Sequence, residues 1–425
     1  MALLSRLLLR LFFREVEVVG RERLPAAGPR LLIANHVNSM VDPILVLGFL
    51  GVRPRILAKS TLWRHPVVAP LLMLAGAVPV YRKQDGVPMA RNLDTFQRCR
   101  EVLAAGGTVL LFPEGASHNQ PHRLPLKTGA ARIALETIAR HGTRDLRIVP
   151  VGLNFEAKDK FGSRVLVLVG PPLDPAAEAD AYARAPREAV RALTTRMADA
   201  LEAVTTSHPT WEEARLVERA VGLAAEVPHA PLSERFALRG RLIDGYQELA
   251  QQQPGEAAEL VEAVARHDRA LAEARLADAD LEPPAPALAA PARAVLALPA
   301  LVGTALNFLP YRLPGWLSAR LSRTPDEPAT YMVLASLLLF PLAWAAEAGL
   351  AWALWGPWWA LAVALIAPAT GYAALQWVKG RPHPPAGTRP EVVTALRAER
   401  VRLRDDIARH LAAQRLMPLR EARRR

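Results

Sequence analysis

The chain has 425 residues, a net charge of +12 and a hydrophobic share of 51%. Its single cysteine, Cys99, excludes an intramolecular disulfide and fits a chain that faces the cytosol. The positive charge comes with no zinc-type Cys/His spacing and no nucleic-acid motif; an anionic membrane surface is therefore the expected partner rather than nucleic acid.

Residues 1–14 are apolar, with Arg6, Arg10 and Arg14 four apart and hence along one helical face. Charge interrupts the run and no small-residue cleavage site follows, so it reads as an amphipathic helix lying on a membrane, not a signal peptide. Residues 15–175 alternate short apolar runs with helix-like stretches. Strands are expected at Val16–Val19, Leu31–Ala34, Arg55–Ala58, Val78–Tyr81, Val109–Phe112, Ile148–Leu153 and Val165–Val169, with helices starting near Pro43, Pro66, Val87 and Thr128. This is an α/β pattern. Residues 176–281 are rich in Ala, Leu, Glu and Arg without a strand-like run, a helical region.

A Pro/Ala-rich linker opens the 282–328 segment. It continues into 18 uncharged residues, Ala294–Tyr311, interrupted by Pro299, Asn307 and Pro310, which reads as interfacial or re-entrant. From Ala329 to Val378, 50 residues carry one charge, Glu347. That is enough for two membrane helices of ~20 residues, with Gly356-Pro357 as the turn and Trp352, Trp355, Trp358 and Trp359 as an interfacial belt. The 379–425 tail holds 13 Lys/Arg against five Asp/Glu, a net of +8. Arg320 and Arg323 precede the hairpin, Lys379 and Arg381 follow it, and the turn has no Lys or Arg. Both ends are therefore expected on the cytoplasmic side.

Two stretches carry chemistry: LLIANHVNSMVDP at 31–43 and LLFPEGASH at 110–118. Each follows an apolar run of buried-strand length, which places polar groups at one edge of a sheet, where open α/β sheets bind ligands. A histidine close to a carboxylate is a ready general base, and His36 and Asp42 supply the pair. Asp42 followed by Pro43 also reads as an N-cap with Pro at the first helical position. No G-x-S-x-G elbow marks a serine nucleophile, although Ser39 and Ser117 lie in the same stretches.

These segments resemble the glycerolipid acyltransferases, which acylate glycerol-3-phosphate or lysophosphatidate. Four blocks match in order: Asn35-His36…Asp42, Val78-Pro79-Val80-Tyr81-Arg82, Phe112-Pro113-Glu114-Gly115 and Val149-Pro150-Val151-Gly152. The chain departs from the family pattern twice. Five residues, Val37 to Val41, separate His36 from Asp42 where four are commonest, and Ala116-Ser117-His118 stands where Thr-Arg-Ser is frequent. With Asn38-Ser39 and the run Leu124 to Gly129, both departures look like the branch holding fungal glycerol-3-phosphate and dihydroxyacetone-phosphate acyltransferases.

The resemblance implies a mixed sheet flanked by helices, followed here by the helical region and the transmembrane hairpin. It implies His36 as base and Asp42 as its partner. Arg82, Glu114, Gly115, Ser117, His118 and Lys127 are then the candidate substrate ligands. Arg82 is the expected phosphate contact, Lys127 a second cation before a helix N-terminus, and Lys59 a weaker one. The implied donor is acyl-CoA or acyl carrier protein and the acceptor a phosphorylated glycerol, at a membrane, with no metal or bound cofactor. Two alternatives stand: an acyltransferase for another lysophospholipid or lipid alcohol, and a catalytically idle membrane scaffold.

Overall fold

The computed structural model of the chain describes residues 2–64, 68–81, 91–224, 230–276, 281, 290–379 and 389–414. Two units emerge. The first comprises Met1–His208 and Gly315–Ala335, the second Pro209–Pro314 and Ser336–Arg425.

The first unit runs α1 (Ala2–Phe12), β1 (Glu15–Val19), β2 (Arg30–Ala34), α2 (Val41–Phe49), β3 (Arg55–Lys59), α3 (Val68–Leu74), β4 (Val78–Val80), α4 (Arg91–Ala104), β5 (Thr108–Leu111), α5 (Gly129–His141), β6 (Arg147–Phe155), β7 (Arg164–Val169), α6 (Ala176–Tyr182) and α7 (Pro186–Glu202). Each expected strand lies within a residue or two of an observed one. The sheet order is β1-β7-β6-β2-β5-β3-β4. It is mixed: β6 and β7 pair antiparallel while every other pairing is parallel.

Side-chain alternation divides this sheet into two buried faces. Leu32 and Ala34 of β2 join Leu110, Val149, Val151 and Val167 under α1 and α2. Leu31 and Ile33 join Val109, Leu111 and Ile148 under α4, α5 and α7. The unit extends past residue 175 to His208 because α7 buries Leu193, Met197 and Leu201 in that second face. The first face also takes in Ala329 and Val333, so residues far along the chain complete the core beneath β2.

Helix α1 buries Ser5, Leu9 and Phe12, and its Arg6 Nε donates to the Gly48 carbonyl of α2. Its Leu3, Leu4, Leu7 and Leu11 remain exposed.

The second unit is helical: α8 (Trp211–Ala224), α9 (Leu232–Gln252), α10 (Pro254–Glu273), most of α11 (Ala290–Leu321) and α12 (Pro328–Trp355), α13 (Pro357–Lys379) and α14 (Pro390–Gln414). Part of the basic tail is a bundle helix, since Leu403 and Ile407 of α14 pack with Leu223 and Val264. Segments Val295–Leu321, Pro328–Trp355 and Pro357–Leu375 are long and apolar enough to cross a membrane.

The expected interruption at Pro299 and Pro310 does not occur, and α11 continues through both and through Pro314. Apolar helices tolerate proline where neighbouring helices and side chains satisfy the freed groups. Asn307 adds a polar tie within the helical unit. It donates to the carbonyls of Gly303 and Ala367 at 3.0 Å each and accepts from Trp344 Nε1 at 3.0 Å. A Cβ on Gly303 would meet the Thr370 carbonyl oxygen at 1.9 Å, so α11 and α13 approach backbone to backbone there.

Candidate active site

Strands β2 and β5 are parallel neighbours, and β6 flanks β2 on its other side. Their carboxyl ends deliver three loops to one edge: 35–40, 112–128 and 156–163. Asn35 extends the β2–β6 pairing with its amide, donating to the Leu153 carbonyl at 3.0 Å and accepting from the Leu153 N–H at 2.8 Å. That ties the position of His36 to the sheet.

His36 and Asp42 meet. Nδ1 lies 2.9 Å from Asp42 Oδ2, with the histidine side chain 16% exposed and the carboxylate fully buried. The same Oδ2 accepts the backbone N–H groups of Val37 at 2.9 Å and Asn38 at 2.8 Å. An acceptor-only carboxylate assigns the proton to Nδ1 and leaves Nε2 with its lone pair. The imidazole stacks on Phe112 at 4.1 Å between centroids and 17° between planes, which fixes its plane.

The expected Asp42 N-cap is corrected here. Helix α2 begins at Val41 with Met40 at the cap position and no side-chain cap bond, so Asp42 lies in the first turn. Its acceptor capacity goes to the loop before the helix. Oδ1 has no hydrogen-bond partner among the described residues, but Lys158 contributes charge nearby. Burial depresses the Lys158 ammonium pKa, and the charges of Asp42, Asp326 and Asp159 oppose that depression.

Glu114 is buried, and both its oxygens serve the protein. Oε1 accepts the His36 N–H at 3.0 Å; Oε2 accepts the Leu124 N–H at 3.0 Å and pairs with His118 Nε2. His118 Nδ1 accepts the Gln120 N–H at 3.1 Å, so both ring nitrogens are engaged. The geometry makes these two a brace for the backbone at His36. Ser117 Oγ accepts the Ser39 N–H at 3.0 Å, and its hydroxyl favours the ionised form of Asp326.

Gly115 sits at φ +75°, and a Cβ there would lie 2.5 Å from Lys127 Nζ. Its own N–H is spent on the Phe112 carbonyl at 3.0 Å. The glycine therefore makes room for the lysine instead of offering its amide to a ligand. Lys127 is exposed and stands at the start of α5, whose N-cap residue Thr128 makes no side-chain cap bond. Ammonium and helix N-terminus together form an anion-receptive position. Strand β4 ends at Val80; Arg82 lies outside the described residues, as do Pro66 and Val87.

Lys158, Asp326 and Thr330 were invisible to sequence reasoning. Lys158 Nζ donates to the Val37 carbonyl at 2.7 Å, and its own carbonyl accepts Asn38 Nδ2 at 3.0 Å. Thr330 Oγ1 accepts the Met40 N–H at 3.2 Å. No motif marks them, because their role depends on backbone groups of a loop remote in sequence.

Residues 15–154 match the family model described as Acyltransferase. An uncharacterized acyltransferase of Schizosaccharomyces pombe is 26% identical over 329 residues, covering 56% of this chain and 49% of that protein. Glycerol-3-phosphate O-acyltransferase 2 of Saccharomyces cerevisiae is 33% identical over 157 residues, 36% of this chain and 21% of that protein. A 1-acyl-sn-glycerol-3-phosphate acyltransferase of Chlamydomonas reinhardtii is 30% identical over 185 residues, 42% of this chain and 52% of that protein. The chain thus spans about half or less of the length of the curated relatives first matched. The edge loops of the sheet, with His36 against Asp42 and Glu114 beneath them, lie in an acyltransferase-family domain that this chain carries over residues 15–154.

Proposed function

We propose that the chain transfers a fatty acyl group from acyl-CoA or acyl carrier protein to the hydroxyl of glycerol-3-phosphate or 1-acylglycerol-3-phosphate at a membrane. The observation that carries this reading is the 2.9 Å contact between His36 Nδ1 and Asp42 Oδ2, which leaves Nε2 able to take a proton.

In the first step Nε2 accepts the proton of the acceptor hydroxyl while the oxygen attacks the thioester carbonyl. The imidazolium that forms is stabilised by Asp42, as in a hydrolase triad. The tetrahedral intermediate then collapses: the carbon–sulfur bond breaks, the thiolate leaves, and it regains the proton from Nε2. Products are an ester and a thiol, with His36 restored. Ser39 and Ser117 take no covalent part; their polar groups organise the loop.

Lys127 and the α5 N-terminus would hold the acceptor phosphate together with Arg82, whose guanidinium suits bidentate binding. Gly115 shapes that position. Glu114 and His118 act as positioning residues, because their polar atoms are bound within the protein. The three long apolar helices, with the exposed leucines of α1 lying on the bilayer surface, would hold the protein in the membrane. The Lys/Arg distribution supports a cytoplasmic active site.

A second reading, an acceptor without a phosphoglycerol group, draws support from Ser117 and His118. They stand where an arginine is frequent in the family, and their polar atoms are engaged by the protein. An acceptor panel with one labelled acyl-CoA separates the two. Preferred turnover of glycerol-3-phosphate or its 1-acyl ester, abolished by His36→Ala, is expected; equal turnover of a non-phosphorylated lipid alcohol favours the second reading. No turnover with any acceptor and either donor favours the scaffold.

A further inference from the structure

The five residues between His36 and Asp42 have each of their backbone N–H groups bound. Val37 and Asn38 donate to Asp42, and Val41 donates to the Asn38 carbonyl at 2.9 Å. The remaining two, Ser39 and Met40, are held from elsewhere. Ser39 donates to Ser117 Oγ, a hydroxyl that favours the ionised form of Asp326, and Met40 donates to Thr330 Oγ1. Ser39 also sits at φ +44°, a left-handed conformation that a serine keeps only when its surroundings hold it.

Asp326 lies in the turn that joins α11 to α12, and Thr330 in the first turn of α12. This segment is itself built into the first unit. Ala329 and Val333 are buried in the core beneath β2. Ser318 Oγ donates to the Pro328 carbonyl at 2.8 Å, and Glu327 accepts the Arg323 N–H at 2.8 Å. Asp326 and Thr330 are each 7% exposed. Burial works against ionising Asp326, but hydrogen bonds from Ser117, Thr324 and its own N–H, with the charge of Lys158, outweigh it and hold the carboxyl below its usual range.

We infer that the 324–330 segment, from the turn after α11 into the first turn of α12, is a positioning element of the active site, in which Thr330 directly and Asp326 through Ser117 fix the spacer loop that sets His36 against Asp42. The inference rests on the acyl-transfer reading for its kinetic consequence, though not for the contacts. It also explains how an extra residue is accommodated between base and carboxylate. The chain turns left-handed at Ser39, and the two N–H groups that Asp42 and the local turn do not reach are bound by Ser117 and Thr330.

The test uses the full-length protein in lipid nanodiscs, with Thr330→Val, Thr330→Ser and Asp326→Ala. Steady-state acyl transfer, melting temperature and amide hydrogen exchange of the peptide covering residues 36–41 are measured on each. Thr330→Val and Asp326→Ala should lower kcat about 10- to 100-fold, since misplacing a reacting group by ~1 Å costs on the order of 10²-fold. Acceptor KM should stay within about twofold, the pattern of an interaction expressed in the transition state. Exchange at 36–41 should accelerate while melting temperature holds, and Thr330→Ser, which keeps the hydroxyl, should behave as wild type. Unchanged kcat in both variants of an active enzyme overturns the inference. So does a loss that follows melting temperature and that Thr330→Ser shares. If wild type itself acylates no acceptor, the acyl-transfer reading fails and the exchange arm decides alone: unchanged protection at 36–41 overturns the positioning role, and lost protection upholds it.

Discussion

The edge loops of the sheet and the apolar helices of the second unit satisfy their polar groups in opposite ways. In the loops, each spacer N–H has a partner, and Glu114 alone binds two backbone amides and a histidine. Along α12 and α13, large apolar side chains such as Leu342, Trp358 and Leu365 stay exposed, while Asn307 serves as a polar tie among α11, α12 and α13. The first region uses hydrogen bonds to hold its loop geometry. The second relies on close backbone approach at Gly303 and Gly371, with apolar surface suited to lipid. Substitutions should therefore damage rate in one region and assembly in the other.

The largest expected effect breaks the loop side. His36→Ala should remove roughly 10²- to 10⁴-fold in kcat, the usual contribution of a positioned base, with the fold intact by circular dichroism. Retention of near wild-type turnover would remove His36 from the site. Asp42→Asn should follow with a smaller loss in kcat. Its amide still accepts hydrogen bonds from the loop, but it lacks the charge that stabilises the imidazolium. Equal turnover in Asp42→Asn and wild type would reduce Asp42 to a loop anchor.

The strands were legible because short apolar runs ended at turn residues, and even β4, three residues with Pro79 inside, was marked by its flanking pattern. The pairing of His36 with Asp42 was legible as a motif. What Asp42 also does was not: sequence suggested an N-cap, whereas its oxygen serves the preceding loop. Glu114 and His118 were visible as motif residues but not as a brace, since their partners include the backbone of His36 and Leu124. Thr330 was illegible, because its contact spans 290 residues of chain. The prolines of α11 misled because helices long and apolar enough to cross a membrane tolerate proline more readily than ordinary ones.

Smaller effects sharpen the comparison further. Lys127→Ala should raise acceptor KM about tenfold, the loss of one charge-assisted bond of ~1.5 kcal/mol, with thioester KM unchanged. Gly115→Ala should move acceptor KM in the same direction by displacing the Lys127 side chain. A larger change in thioester KM than in acceptor KM would reassign both residues to the donor.

On the helix side, Asn307→Leu should cost about 0.6 kcal/mol, and at most ~1.7, of bundle stability, read as a lower unfolding temperature in detergent with kcat preserved. A tenfold loss of kcat there would erase the contrast between the two regions. The least effect belongs to Cys99. Burial pushes its thiol up to about 12, with Arg100 pulling the other way. Alkylation of the native protein at pH 8 should be slow compared with the unfolded chain. The raised thiol costs stability only as pH climbs above 9.0 toward about 12. Rapid native labelling would contradict that burial.

The central claim is that His36 and Asp42 act as one proton-transfer device. A double-mutant cycle on kcat tests it most directly, with His36→Ala, Asp42→Asn and the double variant assayed with labelled acyl-CoA and the preferred acceptor. Residues that act as a unit are non-additive, so the double variant should turn over no more slowly than His36→Ala alone. A double variant whose loss equals the product of the two single losses would contradict the claim.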